Sequence, residues 1–156
     1  LAGRRRALAW AGGAALATAL LGGLATDLSP WYYALRQPPW KPPDWLFGPV
    51  WTLMYALAAA AGVLAWEACP PGLQRRRLLL AFVVNAVLNV VWSWLFFMLR
   101  RPDWARTEVL ALLASVALLV VLCGRQRPLA AWLLLPYLVW VAFAGWLNQA
   151  VVHLNA

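Results

Sequence analysis

Asn85 and Asn89 stand four residues apart in the apolar run "LLLAFVVNAVLNVVWSWLFFML", with Trp92 and Phe96 three and seven positions beyond Asn89. On a helix the two amides share one face. Amides surrounded by hydrocarbon have two uses. They tie helix to helix by hydrogen bonds, at about 0.6 kcal/mol each in lipid, or they supply the few polar contacts of an otherwise apolar pocket. Both uses remain open for Asn89, while helix tying is the simpler reading for Asn85 and for Asn148, deep in the last apolar run. Thr52, Tyr55 and Tyr137 add hydroxyl groups in apolar surroundings. Twelve tryptophans supply large, flat, polarisable surface. Trp10, Trp66, Trp104 and Trp132 fall near predicted helix ends, where indoles form an interfacial belt. Trp51, Trp92, Trp140 and Trp146 fall further in, to fill gaps between helices or to line an aromatic cavity.

Other chemistries find no residues to carry them. The single histidine, His153, has no serine and acid to form a triad, and a lone histidine near a helix end is simply solvated. Cys69 and Cys123 form neither a disulfide framework nor a metal spacing, and no metal cluster or glycine-rich phosphate loop is present in the sequence. The five acidic residues, Asp27, Asp44, Glu67, Asp103 and Glu108, fall at or near predicted helix ends, and no Lys or Arg lies mid-helix. Proton relays and ion pathways need ionisable groups within the membrane, so the pattern speaks against pumps, charged-ring channels and coupled antiporters.

The elements that must position these residues follow from composition. The chain has 156 residues, 65% hydrophobic and 12% charged, against about 45–50% and about 25% in soluble domains. Such a surface meets lipid. A spanning helix needs about 20 apolar residues, and segments near 7–26, 45–66, 78–99, 104–123 and 129–154 qualify, the last interrupted by Pro136 and the second carrying Pro49 in its first turn. The expected fold is all-α, a single five-helix transmembrane domain over residues 1–156. Long uninterrupted apolar runs exclude a β-barrel, no internal repeat is visible, and five helices do not divide into equal inverted halves as in many transporters. The first segment is longer than the apolar core of a signal peptide and is taken as the first membrane helix.

The net charge of +8 is gathered in short clusters between apolar runs, such as Arg4–Arg6 and Arg75–Arg77, which suits lipid headgroups and topology signals and not nucleic acid. Eight Lys and Arg residues fall on the side of the N-terminus and five on the other, placing the N-terminus in the cytoplasm. Ala11, Ala15, Ala19 and Gly23 form a small-residue stripe on the first helix that fits packing within the chain or a homodimer seam.

Between the first two helices runs "WYYALRQPPWKPPDWLFGPVW", with Pro38-Pro39 and Pro42-Pro43. Paired prolines fix φ and extend the residues before them. The stretch is expected as a stiff lid loop folded over the mouth of the bundle, or as an anchor at headgroup level. Arg36 and Lys41 on it face either a ligand carboxylate or a lipid headgroup, and no motif decides between them.

The run from Trp31 through Trp40, Pro42, Pro43 and Trp45 to "FGPVWTLMY", the stretch from Asn89 through Trp92 to Phe96-Phe97, and "PYLVWVAFAGWLN" resemble the translocator protein family, also called tryptophan-rich sensory proteins or peripheral benzodiazepine receptors. The resemblance covers roughly residues 27–150. It implies five helices, a homodimer, and a pocket beneath the first loop that takes tetrapyrroles such as protoporphyrin IX and haem, sterols, and isoquinoline or benzodiazepine drugs. Porphyrin or haem would be a ligand, not an obligatory cofactor. The family's tryptophans tied to light-dependent porphyrin breakdown correspond to Trp31, Trp51 and Trp140. Pocket positions correspond to Trp40, Asn89, Trp92, Ala144 and Leu147, and Tyr55 joins them for its hydroxyl. The sterol pattern of animal members is not preserved, because Leu147-Asn148 is followed by Gln149 and "VVHL". The expected function is a membrane receptor or binding protein for these lipophiles, with a transporter, a photo-oxidative porphyrin-degrading enzyme and a purely structural scaffold as alternatives. The missing basic C-terminal tail points to a bacterial cell membrane.

Overall fold

The structure, a computed structural model, describes residues 2–156. Five long helices, α1 (Ala2–Ala25), α3 (Asp44–Ala68), α4 (Leu73–Ser93, continued by a wider turn over Trp94–Met98), α5 (Pro102–Gln126) and α6 (Pro128–Leu154), are long and apolar enough to cross a membrane. A short helix, α2 (Pro30–Ala34), lies between α1 and α3. In hydrocarbon, backbone groups must be satisfied within the segment, and helices do this alone. Proline at the first position opens α2, α5 and α6, where its missing N–H is no loss. Acidic Asp44 and Asp103 sit in the first turns of α3 and α5, facing the positive end of the helix dipole.

The helices close into a ring. α1 packs between α3 and α4, α3 meets α6, α6 meets α5, and α5 returns to α4. The α5–α6 seam is made close by small residues: a methyl group added at Gly124 would lie 3.0 Å from Ala131 Cβ, and one at Gly145 would lie 3.3 Å from Val109 Cγ1. The end of the ring nearer the N-terminus is solid, filled by Ala61, Ala65, Cys69, Leu112, Leu119, Cys123 and Leu134. The other end is held by a separate cluster of Tyr32, Phe96, Ala105 and Val151.

Several boundaries differ from expectation. α1 begins at Ala2, so Arg4–Arg6 belong to the helix, and Arg4 pairs with Glu67 of α3 at 3.3 Å. Pro49 falls in the second turn of α3, and α6 continues through Pro136 without a break. The α3–α4 connection is short because Gly72 adopts φ 112°, which other residues rarely adopt. The end of α4 was not foreseen. Its last turn widens over Trp94–Met98, with Leu99 N–H donating to Trp94 O at 2.9 Å and Arg101 N–H to Leu95 O at 2.9 Å. Arg100 then turns through φ 54°. Its guanidinium lies 5.9 Å from the Trp31 ring centre, within cation–π range, and so holds α2 to the end of α4.

A chain of hydrogen bonds crosses the bundle. Tyr55 Oη on α3 donates to Asn89 Oδ1 on α4 at 2.6 Å, and Asn89 Nδ2 donates to Tyr137 Oη on α6 at 2.9 Å. Tyr137 Oη donates in turn to Asn85 Oδ1 at 3.0 Å, and Asn85 Nδ2 donates to Ser115 Oγ on α5 at 2.9 Å. Ser115 Oγ ends the chain on Leu112 O at 2.6 Å. Four helices are thereby fixed in register by groups that lipid cannot satisfy.

Glu108 breaks the expectation that acidic side chains stay at the rim. It is the seventh residue of α5, and both carboxyl oxygens are enclosed without a hydrogen-bond partner among the described residues.

Two stability outcomes follow. Asn85→Ala strands Tyr137 and Ser115 and is expected to destabilise the protein by about 1–2 kcal/mol, read as a lower melting temperature in detergent. An unchanged melting temperature would remove the chain of bonds from the account of stability. Glu108→Leu exchanges an unsatisfied buried polar group for an apolar one of similar size and is expected to raise the melting temperature. A clear fall would mean that Glu108 has a partner the geometry does not reveal.

Candidate functional site

The open end of the ring holds a cavity of about 350 Å³, within the size range of small-molecule pockets, about 300–1,000 Å³. All the elements that surround it contribute at the same end: Gly22 and Gly23 from α1, with Thr26 just past it, Asp44 to Tyr55 from α3, Trp92 to Phe97 from α4, and Ala144 to Val151 from α6. Residues 26–43 complete it through Leu28, Tyr32, Gln37 and Lys41. Seven of the twenty lining residues are aromatic. Trp51 and Tyr55 stack at 5.7 Å between ring centres, and Trp92 and Phe96 lie 5.6 Å apart across from them. Spacings of this kind are the favoured range for aromatic pairs. Gly22 keeps the α1 side thin, and a methyl group there would reach Tyr55 Oη at 3.9 Å.

Of the residues expected in a pocket, Trp51, Tyr55, Trp92, Ala144 and Leu147 line this cavity. Asn89 lies one layer deeper and is almost fully buried. It ties α4 to α3 and α6 through Tyr55 and Tyr137 and reaches the cavity only through Tyr55, which it holds in the wall. Trp140 also stands behind the wall, with its ring edge-on to Trp51 at 6.1 Å and its buried Nε1–H without a partner among the described residues. Trp31 is outside the lining, against Phe96 at 6.3 Å. The three tryptophans Trp31, Trp51 and Trp140 are nevertheless joined by one run of aromatic contacts, because Phe96 touches Trp92 and Trp92 lies 6.5 Å from Trp51.

Trp40 is placed elsewhere. It stacks on Trp146 at 4.5 Å with an interplanar angle of 22° and meets Phe143 at 6.0 Å, on the outer face of α6. Trp146, expected further in, is mostly exposed.

Other lining residues, Gly22, Gln37, Phe47 and Ser93 among them, were not expected as pocket positions, and the Ser29-Pro30 pair was the available sign of α2. Tyr32 Oη donates to Asp44 Oδ1 at 2.8 Å, and Lys41 Nζ donates to the same oxygen at 2.6 Å. Burial first, and then the Asp44 carboxylate, push the Tyr32 phenol well above its ordinary range, so it stays a neutral donor. Trp92 Nε1 donates to Asn148 Oδ1 at 3.1 Å, and Asn148 Nδ2 donates to Pro102 O at 2.9 Å, which fixes the Trp92 ring.

The loop is clasped to the opposite end of the chain. Arg36 N–H donates to Asn155 Oδ1 at 2.9 Å, Asn155 Nδ2 donates to Arg36 O at 2.9 Å, and the same amide donates to Val151 O at 2.8 Å. The arrangement is suited to binding: a preformed, largely apolar hollow with a polar edge on the loop side. No group of three or more His, Cys, Asp or Glu residues is placed to hold a metal among the described residues.

The chain is similar in sequence to known proteins. Residues 11–154 match the model of the TspO/MBR family. The chain is 39% identical to the tryptophan-rich protein TspO of Archaeoglobus fulgidus over 133 residues, covering 85% of this chain and 84% of that one. It is 34% identical to the human translocator protein over 123 residues, 78% of this chain and 72% of the other. It is 35% identical to protein CrtK of Rhodobacter capsulatus over 147 residues, 90% and 89% of the two chains. A membrane-embedded five-helix chain with these matches belongs to the TspO/MBR family.

Proposed function

We propose that this protein is a membrane receptor or binding protein for tetrapyrroles, protoporphyrin IX and haem among them, and for related flat lipophiles such as sterols and isoquinoline or benzodiazepine compounds. The observation that carries the reading is the hollow beneath residues 26–43, walled by Trp51, Tyr55, Trp92 and Phe96. A flat, mostly apolar ring system finds aromatic faces there, each well-placed pair contributing about 0.5–1.5 kcal/mol beyond area burial. The segment over the cavity acts as its lid, tied down at Arg36 and Asn155. Ligand occupancy then serves to regulate porphyrin handling or a stress response. The reading also carries a homodimer in a bacterial cell membrane; the excess of basic residues on the N-terminal side supports only its orientation, with the N-terminus in the cytoplasm.

Protoporphyrin IX titrated into the detergent-solubilised protein is expected to quench tryptophan fluorescence saturably. Trp51→Phe is expected to weaken binding about five- to tenfold, because it removes a ring from the wall. Trp140→Phe, one layer back, should have a smaller effect, and Trp94→Phe, on the exposed side of α4, none. Linear quenching without saturation, equal in all four proteins, would show that the porphyrin only dissolves in the micelle and would sink the proposal.

A further inference from the structure

The loop edge of the cavity holds an unspent hydrogen-bond donor. Gln37 Nε2 is buried, has no partner among the described residues, and belongs to a residue that lines the cavity. Buried polar groups are nearly always paired, and an unpaired one costs stability unless something else satisfies it. Four residues on, Lys41 lines the same edge. The Pro38–Lys41 turn brings it there, with Lys41 N–H donating to Pro38 O at 3.0 Å. Its ammonium group donates to Asp44 Oδ1 at 2.6 Å and to Pro42 O at 3.2 Å, which leaves one of three N–H bonds free. Gln37 and Lys41 thus each keep a donor unengaged at this edge. Yet the edge is close to neutral, because the Lys41 charge is matched by Asp44.

We infer that the Gln37 amide, with Lys41 beside it, is the polar subsite of the cavity and selects ligands that carry a hydrogen-bond acceptor at one edge of an apolar body, whether or not that acceptor is charged. This rests on the binding role proposed above. It differs from a charge-capture site in a way that can be measured. A carboxylate entering near the Lys41–Asp44 pair meets little net field, so an uncharged carbonyl oxygen serves nearly as well. A ligand without an acceptor leaves the Gln37 donor unsatisfied and loses affinity.

The test compares three porphyrins on the unaltered protein by fluorescence quenching: protoporphyrin IX with two carboxylates, its dimethyl ester with carbonyl acceptors and no charge, and etioporphyrin with alkyl groups only. The diacid and the ester are expected within about threefold of each other, and etioporphyrin about tenfold weaker. In Gln37→Leu that tenfold gap is expected to close, chiefly through weaker binding of the first two. An ester that binds as weakly as etioporphyrin would overturn the inference in favour of charge capture. A gap that persists in Gln37→Leu would place the protein's donor elsewhere and overturn the inference. Either result leaves the binding role standing if all three quench saturably, whereas absence of saturation for all three removes the role itself. Because the three-ligand comparison uses the native chain, it decides between acceptor and charge recognition even where Gln37→Leu does not fold.

Discussion

Within hydrocarbon a polar side chain has only the protein to satisfy it, and in this molecule that constraint is concentrated at Asn89 and Tyr137. Asn89 accepts from Tyr55 and donates to Tyr137, while Tyr137 receives Asn89 and donates to Asn85. α3, α4 and α6 thus meet through directional contacts in a place where apolar packing alone would let helices slide. α5 is added through Asn85 and Ser115. Low dielectric surroundings strengthen such a connected set and make each missing member costly. The positions of the rings around the cavity inherit their precision from it: Tyr55 is both a member of the set and part of the wall.

The same ring of helices is solid at one end and hollow at the other, and the difference lies in side-chain size. Alanines, leucines and valines on α3, α5 and α6 interlock at the filled end. Toward the loop, large rings alternate with Gly22, Gly23 and Ala144, and the large and small residues do not complement one another across the gap. The indoles there are held from behind, Trp92 by Asn148 and Trp51 by contacts with Trp140 and Tyr137. A wall fixed in this way is preorganised, so the binding proposed above would cost little ordering entropy.

The five helices were legible because each is an apolar run long enough to span a bilayer, a signal that needs no tertiary information. Asn85 and Asn89 were legible as one face by their spacing, but their partners Ser115 and Tyr137 depend on helix order around the ring, which local pattern does not encode. Trp146 could have been placed outward from periodicity: Trp140, Ala144, Asn148 and Val151 recur at helical spacing on one side, and Trp146 falls between them on the other. Trp40 follows it outward by stacking, a contact between distant parts of the chain. The wide turn at Trp94–Met98 and the enclosure of Glu108 had no local sign at all. Gln37 looked like an ordinary loop residue because the paired prolines beside it suggest a stiff lid but not which of its side chains turn inward.

The clasp between Arg36 and Asn155 has a mechanical consequence. Because the Arg36 backbone is bonded twice to the side chain of Asn155, which caps α6 and is tied to Val151 in its last turn, an outward swing of that helix end carries residue 36 along, and with it the neighbouring Gln37. Widening the entrance and withdrawing the polar rim are then a single coupled displacement, a hinge whose two leaves share one pin.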